Sequence, residues 1–169
     1  PHVAFLDPLL TASLSPKLTA TTGVDALTHA IEAYTSIQKN PVSDALARQA
    51  ISLIMENLAR SCAEPNDLDV RTSLALGSLL AGASFSNAMV GIVHALGHSL
   101  GGICHIPHGQ AMMILLPYCV RFNLERGHHK GLYGQLLRAL RPDLDNTSLT
   151  ADERDVLFCA ALFELNQEL

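Results

Sequence analysis

Between Arg71 and Arg121 lie 49 consecutive residues with no Asp, Glu, Lys or Arg. So long an uncharged stretch, in a chain of 169 residues, belongs either in a membrane or in the interior of a fold. A membrane-spanning helix needs ~20 mostly apolar residues in a row. Gly77, Gly82, Ser84, Ser86, Asn87, Gly91 and His94 interrupt the first half, and Gly101, Gly102, Pro107, His108 and Gly109 the second. The longest clean apolar run, residues 111–120, contains Pro117. The stretch therefore reads as the buried core of a soluble protein with no membrane partner. A net charge of −5 offers no basic face for nucleic acid. Cys62, Cys104, Cys119 and Cys159 form no CxxC pair, so they read as small buried hydrophobes in a reducing compartment. No signal peptide or transit segment is recognisable, so the expected location is cytoplasmic.

The coarse pattern predicts an all-α fold. Val3, Ala4, Phe5 and Leu6 read as one short strand before Asp7-Pro8, and a lone strand needs partners from elsewhere. After Pro16 every segment reads helical. Thr22 is expected to cap a helix running to about residue 35. Asn40-Pro41 opens one to about residue 60, and Asn66 or Asp67 caps a third. A break is expected at residues 84–87, then a helix carrying His94 and His98 that Gly101-Gly102 ends. Another helix follows Ile106-Pro107-His108-Gly109 and runs towards Asn123. Residues 132–140 form a further helix, and Thr150-x-x-Glu153 is a capping box opening the last one. Residues 143–150 are the best loop candidate.

The uncharged stretch holds four of the eight histidines: His94, His98, His105 and His108. Asp25 and His29 stand four residues apart on an expected helix, so both project from one face, and His94 and His98 repeat the spacing. Any one buried histidine is ordinarily satisfied by a backbone hydrogen bond. Several imidazoles in an interior that offers them no carboxylate are costly unless each finds a partner. A divalent metal with one carboxylate from elsewhere would satisfy several at once, and this donor set suits Fe²⁺ or Zn²⁺. There is no Glu-x-x-His pair for a di-iron bundle, no Gly-x-Ser-x-Gly elbow and no glycine-rich phosphate loop after a strand. His105, His128 and His129 read as solvated or structural.

Two long segments carry a family resemblance. Thr21-Thr22-Gly23-Val24-Asp25-Ala26-Leu27-Thr28-His29-Ala30-Ile31-Glu32, preceded by Asp7-Pro8 and Leu14-x-Pro16, is the first. Gly91-Ile92-Val93-His94-Ala95-Leu96-Gly97-His98-Ser99-Leu100-Gly101-Gly102, followed by Ile106-Pro107-His108-Gly109, is the second. With Asn40-Pro41, Asp44-Ala45, Phe85-Ser86-Asn87 and Leu115-Leu116-Pro117 in order between and after them, the chain resembles the iron-containing (group III) alcohol dehydrogenases. The resemblance runs from about residue 3 to 123 and more loosely to the end.

That resemblance implies a two-domain enzyme that interconverts a primary alcohol and its aldehyde, or a related carbonyl, by hydride transfer with NAD or NADP. Residues 1–15 would end an N-terminal α/β nucleotide-binding domain, itself missing, and supply its last strand. Residues 16–169 would form the helical metal-binding domain, a multi-helix bundle of the dehydroquinate synthase-like type, with its C-terminal end truncated. The implied metal ligands are Asp25, His29, His94 and His108, for Fe²⁺ with Zn²⁺ possible, the metal acting as a Lewis acid. His98 would lie at the nicotinamide in a catalytic, cofactor-binding role, and Phe85 would line the substrate pocket. A homo-oligomer is expected, and the chain alone is expected to be inactive. The competing reading is a non-catalytic helical domain for metal binding or protein interaction.

Overall fold

The computed structural model describes residues 3–144 and 148–169. Among them run seven α-helices: α1 (Pro16–Thr35), α2 (Pro41–Ala63), α3 (Leu68–Ala88), α4 (Ile92–Cys104), α5 (His108–Glu125), the single turn α6 (Leu137–Leu140) and α7 (Ala151–Glu168). The all-α expectation holds, and no strand occurs among the described residues. Residues 3–6, expected as a strand, are irregular and exposed, with Phe5 at 91%. A strand exists through ladder bonds to a neighbour, and the described residues offer none. The expected loop at 143–150 falls partly on residues 145–147, outside the described residues.

Local chemistry explains most boundaries. The Asn40 side chain accepts from the Val42 and Ser43 N–H groups, and Ser43 reaches back to complete a capping box. Asp67 caps α3, and Thr150 with Glu153 forms the expected box at α7. Four expectations need correction. First, α1 begins at Pro16, because the Ser15 hydroxyl accepts from the Leu18 N–H and Pro16 fills the first helical position. Thr22 is interior and turns its hydroxyl onto the Leu18 carbonyl. Second, α3 passes through residues 84–87 unbroken and ends at Ala88, where Met89 takes a positive φ of 67°. Third, Gly101 and Gly102 lie inside α4, which ends at Cys104 with His105 left-handed. Gly101 serves close packing, since a Cβ there would sit 3.3 Å from the Ile106 carbonyl oxygen. Fourth, the helix expected at 132–140 shrinks to a 3-10 turn and α6. The Gly131 and Gly134 N–H groups both donate to the buried Asp155 carboxylate, at 2.6 Å each, instead of joining a helical ladder.

α1 is the central helix, with α2, α3 and α5 packed around it. Leu27 and Ile31 of α1 join Ile51, Ile54 and Leu58 of α2 and Met112 and Leu116 of α5 in one core, each at most 1% exposed. Burying each such side chain contributes at most about 1.5–3 kcal/mol. Arg71, 2% exposed, donates to the Pro65 carbonyl and the Thr19 hydroxyl and so fastens the start of α3 to α1.

The uncharged stretch is only partly interior. Among the described residues no single helix is long and apolar enough to cross a membrane, and α3 and α4 bend by 103° at their junction. His94 is buried, but His98, His105, His108 and Cys104 are exposed, as is Ile103 at 80%. The four cysteines are free, with Cys119 and Cys159 buried and Cys62 half-buried.

Two close contacts hold α5. Pro117 inside the helix lacks the N–H that would bond the Met113 carbonyl. The Asn166 side chain of α7 supplies that donor instead, at 2.5 Å. At the other end, a Cβ on Gly109 would lie 2.6 Å from the Thr21 carbonyl oxygen, so only glycine lets the first turn of α5 press on α1.

Asn166→Ala should orphan the Met113 carbonyl and lower stability by about 1–2 kcal/mol, read as a fall in the urea midpoint at unchanged slope. Adding Pro117→Ala should restore the internal helix bond and recover part of the loss. Gly109→Ala should cost about 1–3 kcal/mol by overpacking. Gly102→Ala, with nothing within 4 Å of its Cβ, should be neutral or stabilising by up to about 1 kcal/mol in the same assay.

Candidate metal centre

The site forms where three helices meet. Asp25, His29 and Glu32 recur at helical spacing on one face of α1. The sharp turn after α3 brings in the first turn of α4 with His94, and α5 starts at His108 itself. His29 Nδ1 lies 4.0 Å from Asp25 Oδ2. His94 Nε2 and His108 Nε2 lie 3.5 and 3.3 Å from Asp25 Oδ1. Donor atoms of Asp25, His29 and His94 all fall within 4.8 Å of one another.

Ring packing fixes the imidazoles further. His29 is stacked between Phe85, at 4.4 Å, and His94, at 4.3 Å between centroids. His98 stacks on His108 at 5.1 Å and meets His94 edge-on at 5.8 Å. Phe85 also lines a mainly apolar groove of about 680 Å³ between α1 and α3, together with Thr22, Ala26 and Leu79.

Asp25 Oδ1 and His94 Nε2 are buried, face each other, and make no hydrogen bond. Two such buried atoms are satisfied together only with a proton or a metal ion between them. The electrostatics agree. Burial alone would raise the Asp25 carboxyl, but contact with His94 and the neighbouring charges of His29 and His108 hold it below the usual range. Burial works to lower His94 too, yet its contacts with Asp25 and Glu32 push it up to about 9. Burial lowers His29 against the pull of Asp25. The donor set of one carboxylate and imidazoles suits a divalent ion of intermediate hardness, so these residues fit a metal.

Of the residues singled out from the sequence, Asp25, His29, His94 and His108 converge, with Phe85 and His98 at the rim. His105 stands apart, exposed at the end of α4. His128 is exposed and His129 half-buried beyond α5. One expectation is corrected: a carboxylate does satisfy a ring nitrogen inside the fold. Glu32, 5% exposed, accepts from His94 Nδ1 at 2.5 Å and from the Val93 N–H at 2.7 Å. Its sequence signals are its place seven residues after Asp25 on the same face and at the end of the first of the two segments that carry the family resemblance.

Comparison with known proteins gives the chain a family. The family model described as Fe-containing alcohol dehydrogenase family, C-terminal, matches residues 19–169. The chain is 52% identical over 124 residues to the 1,3-propanediol dehydrogenase of Klebsiella pneumoniae, covering 73% of this chain and 32% of that protein. The solved structure of an alcohol dehydrogenase from Oenococcus oeni superposes with a TM-score of 0.93 at 35% identity, over 99% of this chain and 43% of that one. A sulfoacetaldehyde reductase from Bifidobacterium kashiwanohense, solved in complex with NAD⁺, gives 0.80 at 30% identity, over 96% and 40%. The chain thus spans about a third to two fifths of the length of these proteins. Helical architecture, family match and these identities together make the chain a member of the iron-containing alcohol dehydrogenase family, corresponding to its C-terminal domain.

Proposed function

We propose that Asp25, His29, His94 and His108 hold one divalent metal, iron in the first instance with zinc able to take the same donors. The protein carrying this chain would use it to interconvert a primary alcohol and its aldehyde, or a related carbonyl, with NAD or NADP. The observation that carries the reading is the buried Asp25 Oδ1 facing His94 Nε2 at 3.5 Å with no hydrogen bond to either. The metal would supply Lewis acidity towards the substrate oxygen, and the nicotinamide would accept or give the hydride.

The chain's own residues have separable tasks. Asp25 brings the balancing negative charge to neutral imidazoles. His29, held between Phe85 and His94, keeps its ring plane fixed. Phe85 presents an apolar wall to the carbon chain of the substrate, at the end of the α1–α3 groove. His98 is exposed, one turn beyond His94, and its ring can hold or pass a proton at the edge of the site. Residues 16–169 then form the metal-binding domain, with residues 1–15 leading from a nucleotide-binding domain, in a homo-oligomer.

Purified protein is expected to carry near-stoichiometric iron or zinc by elemental analysis. His94→Ala and His108→Ala should lose it, and unchanged metal in both variants would overturn the ligand set. His98→Ala should keep the metal while turnover of the protein carrying the chain falls by about 10²–10⁴; wild-type turnover would remove the proton role.

A further inference from the structure

Glu32 lies behind the metal-facing side of His94, and both of its oxygens are committed. Oε2 accepts from His94 Nδ1 at 2.5 Å and Oε1 accepts from the Val93 N–H at 2.7 Å. The backbone makes room for this: a Cβ on Gly91 would sit 3.0 Å from Oε1. Two donors on adjacent residues of α4 therefore clamp the carboxylate, and it cannot rotate off the ring without abandoning the Val93 amide.

The consequence lies on the far side of the ring. A neutral imidazole carries one proton and one lone pair. With the proton on Nδ1 and given to Glu32, the lone pair is on Nε2, the atom that faces Asp25 Oδ1. Without a carboxylate at Nδ1, the proton would move to Nε2 and hydrogen-bond to Asp25, filling the place of an ion. We infer that Glu32 is a positioning residue for the metal: it fixes the His94 tautomer and ring plane so that Nε2 is presented as a ligand. This rests on the proposed metal site, and it adds a residue that touches neither ion nor substrate. Partner carboxylates of this kind typically raise metal affinity 10–100-fold.

Glu32→Gln keeps the shape and removes the second acceptor. Its amide N–H₂ must face either the Val93 N–H, donor against donor, or Nδ1, which would then accept and send the ring proton to Nε2. Affinity for Co²⁺ and Zn²⁺, measured by chelator competition on the protein carrying the chain, should fall 10–100-fold in Glu32→Gln. The Co²⁺ absorption bands should shift, while the unfolding midpoint of the metal-free protein should stay near wild type. Glu32→Asp keeps the charge at shorter reach and should recover part of the affinity; if Glu32→Gln fails to fold, Glu32→Asp decides. Wild-type affinity in the folded variant, with His94→Ala still unable to bind, would overturn the positioning role and leave the metal site standing. A wild-type protein that binds neither ion would overturn both.

Discussion

The candidate metal centre depends on a supply of charge. The segment that contributes His94 and His108 has no Asp, Glu, Lys or Arg in it, so it has no carboxylate to balance an ion. The balancing groups come from α1, where Asp25 and Glu32 flank His94 from its two ring nitrogens. α1 can do this because its faces divide the work. Leu27, Ile31 and their neighbours build the hydrophobic centre, while Asp25, His29 and Glu32 meet the first turns of α4 and α5. Its central position in the bundle and its place in the site meet at α5, which packs against α1 and also brings His108.

Close approach is the second requirement. α5 reaches Asp25 because Gly109 has no side chain to hold it off Thr21, and α4 reaches Glu32 because Gly91 leaves space for a carboxylate. Glycines in the signature segments thus act as spacers between backbone and functional groups, where a larger residue would separate partners by tenths of an ångström. Ligand geometry is sensitive to shifts on that scale.

Features set by short-range chemistry were legible in the sequence. The caps at Asn40 and Thr150 were readable, and that at Asp67 as one of two candidates with Asn66, because an N-cap and the N–H groups it bonds lie within three residues of each other. The pairing of Asp25 with His29 followed from helical period alone. The start of α1 was misread because Thr22 is as good a capping residue as Ser15; Pro16 at the first helical position was the signal that favoured Ser15. Gly101-Gly102 suggested a stop, whereas the position needed a small residue beneath the Ile106 carbonyl. Glu32 was invisible as a partner for His94: the two are 62 residues apart, and nothing local marks that contact. Residues 3–6 have the composition of a strand, but strand formation depends on what lies beside it.

The bond from Asn166 to Met113 has a meaning beyond its energy. A regular helix offers a passing neighbour no distinguishing backbone acceptor, because its interior carbonyls are already taken. Pro117 frees one carbonyl among all the turns of α5, and a side chain on α7 finds it. Slid by a turn in either direction, α7 would leave that oxygen bare and strand its own amide. The defect in one helix is thus an address for the other, specifying register where apolar packing alone would tolerate several.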